Sequence, residues 1–325
     1  VVENVAKIYV SIASYRDPLV QSTIDNLFIT SSGSHVINVG VFVQEFSTDP
    51  ISITNTYGGK VNYESKLPGC VFSVSKCRSL ANKWLDESYD YVLQIDAHSR
   101  FENNWDDILV KEHKKTEQRT GSNVLFSTYL PGWTPFLKEL LFSYDASVIS
   151  NVNYNNKVAK KSLFDTYELV PYLEVQMRDN YLSTKNWYTC GHFIFGPAKY
   201  FLDVVQPSWI LFWGEELYHS LMAFTNGWDV YVPYNLPVRH MYPQDVKNDM
   251  VLNKLWDDFQ LEWELNKMPS TDLVIDNILN KLTGKEHFGT TRSVDELYSY
   301  LGYDIGKLLD SWREEYRLEY NRQIH

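Results

Sequence analysis

Residues 89–101 read YDYVLQIDAHSRF, a short apolar run that stops at a carboxylate and an imidazole spaced by one residue. Its composition and its abrupt polar end predict a buried strand running into a turn. On extended backbone, side chains at i and i+2 point the same way. Asp96 and His98 can therefore take neighbouring positions on one divalent cation. Mn2+ or Mg2+ accepts the carboxylate, and Mn2+ tolerates imidazole better. Such an ion neutralises a diphosphate and stabilises it as a leaving group. The same pair also fits an ordinary strand-end turn in which Asp96 bonds local backbone, so the spacing alone leaves both readings open.

Upstream, residues 5–14 (VAKIYVSIAS) are apolar and β-branched and break at TyrArgAspPro, which predicts a strand and then a loop. Residues 18–30 carry an apolar stripe through Leu19, Ile24, Leu27 and Phe28 and read as a helix. Residues 36–46 (VINVGVFVQEF) read as a second strand. The Ser/Thr/Asn/Gly-rich segment 47–69 reads as an irregular excursion, and 75–88 as a helix through Leu80, Trp84 and Leu85. Strand, helix, strand, helix, strand predicts an α/β fold built on a mostly parallel, twisted sheet flanked by helices. Ligands of such sheets sit beyond the carboxyl ends of the strands. Arg16 and Asp17 follow the first strand, and Arg78 opens a helix where it can meet a phosphate or an aspartate. Charges at these places suit a nucleotide crevice, although exposed loop charges are as common.

Downstream, a helix is predicted over Trp105–Thr120, a strand over VLFSTYLP (124–131), and a strand running into a helix over 192–202 across a GlyPro break. Residues 145–185 are less regular. A Trp/Gly loop precedes a helix at 215–226, and WDVYV (228–232) is a further strand. Glu215 and Glu216 open that helix. The pair reads either as first-turn electrostatics or as carboxylates that orient a sugar hydroxyl or an acceptor. His240, in NLPVRHMYP, reads alone as a structural histidine. Composition shifts near residue 244. Helical pieces follow (DMVLNKLWDDFQLEWELNK, DLVIDNILNKL, VDELYSYLG), separated by polar joins, with apolar positions such as Leu297, Leu301 and Leu308. The expected division is a main domain over 1–243 and a helical appendage over 244–325 that packs on the main domain or on a partner.

The chain has 325 residues, 15% of them aromatic, and a formal net charge of −11, which gives no general attraction to polyanions. No window reaches the apolar length of a membrane span, and the N-terminal stretch reads as a strand and not as an apolar leader. Cys70, Cys77 and Cys190 form neither a disulfide framework nor a CxxC site, which suggests a soluble protein of a reducing, cytoplasmic compartment. There is no GxGxxG after the first strand, no Walker motif, no HExxH and no GxSxG, which argues against an NAD site, a P-loop, a zincin and a serine-hydrolase elbow.

Four segments together carry a resemblance: IYVSIASYRDP (8–18), CRSLANKWLDESYDYVLQIDAHSRFENNWD (77–106), WYTCGHFIFGP (187–197) and WILFWGEELYHSLMAFTNGWDVYVPYNLPVRHMY (209–242). The chain resembles the hydroxyproline-type polypeptide N-acetylglucosaminyltransferases, cytoplasmic enzymes that modify a ubiquitin-ligase subunit, and more distantly the polypeptide N-acetylgalactosaminyltransferases. The resemblance implies a GT-A fold, a UDP-sugar donor and Mn2+ or Mg2+. It implies Asp96 and His98 as metal ligands, with His240 as the third. It further implies Ser14, Arg16, Asp17 and Arg78 near the donor, Trp213 and Gly214 as the floor of the sugar pocket, and Glu215 and Glu216 as the acidic pair beside donor sugar and acceptor. Retention of anomeric configuration is the family expectation; the leaving diphosphate then takes the acceptor proton, and neither glutamate need be a general base.

Two departures stand out. Ala97 occupies a position where relatives often carry serine, on a side chain expected to point away from the metal. Segment 143–186 shows no match. An Asn/Tyr/Lys-rich composition suggests an AT-rich source such as a protist, a virus or a phage. This keeps open an acceptor such as a hydroxymethylated DNA base, which requires flipping or a single strand and a basic track. The clearest basic run, HKKTEQR at 113–119, reads more simply as a solvated helix face, and the overall acidity favours a protein or glycan hydroxyl. A nucleotide- or glycan-binding module without turnover is the non-enzymatic alternative, and the joint presence of Asp96, His98, Glu215, Glu216 and His240 argues against it.

Overall fold

The computed structural model describes residues 5–55, 57–71, 73–133, 148–152, 173–176, 182–205, 207–212, 214–242, 253–284, 288–302 and scattered positions from 304 to 317. Its centre is an eight-stranded sheet in the order β3-β2-β1-β4-β10-β6-β11-β9. The first half is parallel: β1 (Lys7–Tyr15) lies between β2 (Val36–Gln44) and β4 (Tyr91–Asp96), and β3 (Lys60–Lys66) extends it beyond β2. Helix α1 (Val20–Ile29) makes the crossover from β1 to β2, and α2 (Val74–Ala81) leads from β3 towards β4. The second half is mixed. Strand β10 (Phe193–Pro197) runs antiparallel to both β4 and β6 (Asn123–Ser127), β11 (Trp228–Val232) is parallel to β6, and β9 (Thr184–Asn186) is antiparallel to β11. The fold is mixed α/β, a large sheet flanked by helices.

This mixture positions the site. Because β10 is reversed, Phe193 pairs with Ile95, so the beginning of β10 lies beside the carboxyl end of β4. The parallel register sets Ala13 opposite Asp96. A two-stranded ladder, β5 (Ser99–Phe101) with β12 (Val238–His240), then brings His240 opposite Ser99. One edge of the molecule thus collects the ends of β1 and β4, the start of β10 and the end of β12.

The core explains the strands. Ile8, Val10 and Ile12 of β1, Val39 and Val41 of β2 and Leu93 and Ile95 of β4 are fully buried, with Ile24 and Leu27 of α1 and Trp105 and Leu109 of α3 (Trp105–Thr120) packed on the same face. Burying each such side chain contributes about 1.5–3 kcal/mol. A second apolar cluster joins Leu217, Leu221 and Phe224 of α5 (Glu215–Thr225) to Val274, Ile275 and Ile278 of α7 (Gln260–Leu282) and Leu297 of α8 (Val294–Leu301). Helix α8 starts with a reciprocal cap in which Ser293 and Glu296 satisfy each other's backbone donors. The remaining elements are the hairpin β7 (Val148–Val152) with β8 (Leu173–Gln176), α4 (Ala198–Asp203) and α6 (Leu255–Asp258). Among the described residues no helix is long and apolar enough to cross a membrane.

Several elements differ from expectation. Segment 47–69 contains β3, an edge strand without fully buried side chains, whose only alternation is the short Val61–Tyr63 pair among polar residues. Helix α2 stops at Ala81 rather than continuing to 88, and Trp84 and Leu85 instead pack beside Tyr9 and Val92 in the following turn. The helical pieces expected on either side of residue 270 are one helix, α7, with Pro269 inside it; the Pro-Ser-Thr-Asp run there has the composition of a helix start, which is why it reads as a break.

Candidate functional site

Asp96 ends β4, His98 sits in the turn to β5, and His240 ends β12. Their ligand atoms all lie within 4.8 Å of one another. His98 Nε2 is 3.1 Å from His240 Nε2, and His240 Nε2 is 3.3 Å from Asp96 Oδ2. Two imidazole nitrogens aimed at one point beside a carboxylate form the donor set of a divalent cation, and adjacent ligands on an octahedral ion with bonds of about 2.1 Å lie about 3 Å apart. The triad therefore fits Mn2+ or Mg2+, with imidazole favouring Mn2+. The ladder holds the histidines by backbone: the His240 N–H donates to Pro131 O, while Trp133 Nε1–H and the Met241 N–H donate to His98 O.

Asp17 supports this triad directly. Its Oδ2 lies 2.6 Å from His98 Nδ1, and its Oδ1 accepts from the Leu19 N–H at 2.8 Å at the start of α1. A carboxylate on Nδ1 fixes the tautomer and aims the Nε2 lone pair away, the usual support of a metal-bound histidine. Burial disfavours a charged His98, but the Asp17 hydrogen bond and the charges of Asp17 and Asp96 together outweigh it and raise the imidazole above its ordinary range. Burial also opposes the Asp96 charge; His240 and the Arg78 guanidinium outweigh that and hold the carboxyl far below its usual range. His240 moves the other way, lowered chiefly by burial.

Arg78 connects the triad to the second half of the sheet. It is buried on α2, whose first turn is capped by the Ser73 side chain. Its Nη2 lies 3.4 Å from Asp96 Oδ1 and its Nε 3.0 Å from Glu215 Oε1, and Nη1 donates to Gly191 O. Its guanidinium is thus committed to two carboxylates and one carbonyl. Burial raises the Glu215 carboxyl above the ordinary range, against the pull of Arg78.

Gly191 is the tip of a tight turn closed by the Phe193 N–H donating to Cys190 O. Gln94 Nε2 donates to Gly191 O at 2.8 Å, and the Gly191 N–H donates to Glu216 Oε1 at 2.6 Å. A Cβ at Gly191 would meet Arg78 Nη2 at 2.9 Å, so the close approach requires glycine there. Glu216 Oε2 also accepts from the Tyr129 hydroxyl at 3.1 Å. Cys190 and His192, on either side of the glycine, face this carboxylate and form with it a second cluster with ligand atoms within 4.8 Å. His192 stacks against His240 with ring centroids 4.4 Å apart. Sequence reasoning did not single out Cys190, His192, Gln94 or Tyr129; the CxH inside WYTCGHFIFGP was the available signal for the first two.

The other candidates fall around this edge. Ser14 is buried near the end of β1, and its hydroxyl has no hydrogen-bond partner among the described residues. Arg16 has φ 46°, unusual for a residue with a side chain, and pairs with Asp258 Oδ2 at 2.5 Å. Gly214, at φ 78°, precedes α5 and lets the chain turn so that Glu215 and Glu216 occupy its first turn. Trp213 lies outside the described residues. The run HKKTEQR lies on α3 with Lys114 and Lys115 exposed and His113 buried against Val124 O.

A model of the family described as "Glycosyltransferase (GlcNAc)" matches residues 7–76 and 75–275. No curated protein matches the sequence. Among solved structures, the chain is similar to GalNAc-T7 in complex with UDP, GalNAc and Mn2+, at 10% identity and a TM-score of 0.55, over 94% of this chain and 58% of that one. It thus spans little more than half the length of that relative, and the likeness speaks to the fold. It is also similar to Staphylococcus aureus TarS 1–349 in complex with UDP-GlcNAc, at 12% identity and a TM-score of 0.46, over 84% of this chain and 67% of that one.

Proposed function

The chain belongs to the Glycosyltransferase (GlcNAc) family, and from that premise we propose a metal-dependent, configuration-retaining transferase that moves a sugar, GlcNAc by preference, from a UDP-sugar to a hydroxyl group, on protein or glycan in preference to DNA. The observation that carries this reading is the convergence of Asp96, His98 and His240 from three separate chain segments on one point. These three residues would hold Mn2+ or Mg2+, which when bound supplies positive charge to the leaving diphosphate.

The remaining work falls to the chain itself. Asp17 orients His98 through Nδ1. Arg78 fixes Asp96, Glu215 and the Gly191 turn in one frame. Glu216, tethered by the Gly191 N–H and the Tyr129 hydroxyl, orients a hydroxyl of the donor sugar or the acceptor. With retention, the new bond from the acceptor oxygen to the anomeric carbon forms on the face from which the diphosphate oxygen departs. The acceptor proton passes to that departing oxygen, so neither glutamate is required as a base. Ser14, Arg16 and Gly214 border the same edge as donor-binding candidates.

The test is UDP release from each common UDP-sugar in the presence of Mn2+, with and without EDTA, for the wild type and Asp96→Asn. The expected result is EDTA-sensitive release from one donor, lowered at least about 10²-fold in the variant. Equal release by the variant removes the metal assignment. Labelled transfer to hydroxymethylpyrimidine DNA and not to peptides would replace the acceptor class. UDP binding without release or transfer to any acceptor would make the chain a binding module.

A further inference from the structure

We propose that Cys190, His192 and Glu216 form a second and softer cation site, suited to Zn2+, next to the Asp96–His98–His240 triad. The proposal goes beyond the transferase reading and does not depend on it.

The three side chains are brought together before any ion arrives, and a bound cation requires the His192 ring to turn a nitrogen lone pair towards it, because the sulfur now lies beside the ring. Cys190 Sγ lies 3.1 Å from His192 Nδ1 and 3.5 Å from its Nε2, and one carboxylate oxygen of Glu216 completes a set whose members all lie within 4.8 Å of one another. Cys190 and His192 come from the two sides of one tight turn. Arg78 and Gln94 clamp that turn at Gly191 O, and Glu216 at the Gly191 N–H. Glu216 comes from the first turn of α5, fixed by the positive φ of Gly214. Cys190 and His192 are buried and Glu216 is partly exposed, so the cluster has a dry wall and an open side.

The donor set separates this cluster from the triad. A thiolate with an imidazole and a carboxylate favours Zn2+, and three protein ligands leave a position for water or another ligand. The triad has two imidazoles and a carboxylate and no sulfur, which suits Mn2+. In the absence of a cation, hydrogen bonds account for the second cluster: His192 Nε2 accepts from the Leu130 N–H at 3.3 Å, and Glu216 from Gly191 and Tyr129. A cation there releases the thiol proton to solvent through the open side and competes with the Gly191 N–H and the Tyr129 hydroxyl for Glu216.

Cobalt(II) is the probe, because a thiolate on Co2+ gives a charge-transfer band in the near ultraviolet. Full-length protein carrying Cys70→Ser, which removes the exposed thiol, is titrated with Co2+ after saturation with Mn2+. The expected result is a saturable band that persists in Asp96→Asn and disappears in Cys190→Ser. No band in the Cys70→Ser protein, or a band unchanged by Cys190→Ser, overturns the proposal. Zinc X-ray absorption on the Cys70→Ser protein needs no change at the site. A sulfur neighbour on the metal supports the assignment, and a shell of only nitrogen and oxygen overturns it. Neither readout requires turnover, so failure here is distinct from failure of the transferase reading.

Discussion

The two halves of the main sheet build the site in different ways. The parallel half, β3-β2-β1-β4, delivers its residues where strands end: Ser14 on β1, Asp17 just past it and Asp96 on β4. The mixed half, β10-β6-β11-β9, delivers Cys190 and His192 where a reversed strand begins, and Glu215 and Glu216 where a helix begins. A parallel strand announces its site residues, because an apolar run ends in a polar one. A reversed strand puts them ahead of the run, where they read as loop. The difference teaches that one edge of a sheet can combine two kinds of local signal, and that something must tie the two halves together.

Arg78 is that tie, and removing it is the largest test of the comparison. It belongs to α2 in the parallel half and pairs with Glu215 in the mixed half, both side chains below 10% exposed, at 8% and 7%. Deleting one partner of a buried pair leaves an uncompensated charge and costs about 3–5 kcal/mol. Arg78→Met should lower stability by that amount in urea unfolding. Adding Glu215→Leu should recover the part of the loss that comes from stranding Glu215, while Asp96 and Gly191 O remain without the guanidinium. If Arg78→Met unfolds like the wild type, the strands and the remaining hydrogen bonds, such as Gln94 Nε2 to Gly191 O, suffice to join the halves.

Asp17 tests the parallel half by itself. Its carboxylate holds His98 at 2.6 Å. Asp17→Asn keeps the shape but weakens the fixing of the His98 tautomer, and loss of such a support typically lowers metal affinity about 10–100-fold. The measurement is Mn2+ affinity by calorimetry. An unchanged affinity would mean that the β5–β12 ladder alone orients the histidine.

Asp229 tests the mixed half and its link to the C-terminal helices. It is buried on β11, pairs with Arg292 Nη1 at 2.7 Å and Lys185 Nζ at 3.0 Å, and so joins β9, β11 and the segment before α8. Burial opposes its charge, but Lys185 and Arg292 outweigh burial and lower its pKa. A carboxyl lowered in the folded state adds stability that is fully present above the unfolded value, near 3.9, and is lost as pH falls through the folded value. Asp229→Asn should therefore cost about 1–2 kcal/mol at neutral pH. Thermal unfolding should show the gap between variant and wild type closing in acid.

The same contrast explains what the sequence disclosed. Strands β1, β2 and β4 are nearly continuous apolar runs, because a parallel sheet covered on both faces buries most of its side chains, and Asp96 and His98 share one local spacing. The edge strand β3 buries little beyond part of Val61, and its pattern is only the two alternating positions Val61 and Tyr63. His240 is 142 positions from His98 and reaches it only through the β5–β12 ladder, a non-local pairing that no spacing encodes. Arg78 reads as seeking a phosphate or an aspartate, yet Glu215, its nearer partner, lies at the start of a distant helix.

The smallest effect concerns the contact of the segment around α6 with the parallel half. Asp258, at the end of α6, accepts from the Tyr15 hydroxyl at 2.9 Å and pairs with Arg16 at 2.5 Å, while Asn253 Nδ2 donates to Arg16 O at 2.8 Å. Both side chains of the pair are about a quarter exposed, at 24% and 27%. Solvent screens such a pair, so Asp258→Asn should change stability by less than about 1 kcal/mol. Its consequence lies in binding. Arg16 stands at the carboxyl end of β1, where a nucleotide would lie, and Asp258 holds its guanidinium. If Arg16 reads the donor diphosphate, freeing it should tighten UDP binding by a factor of about 2–5, the equivalent of about 0.5–1 kcal/mol. Calorimetric titration with UDP and Mn2+ measures this. Weaker binding would show instead that Asp258 orients Arg16 for the donor, so that α6 completes the parallel half and does not compete with it.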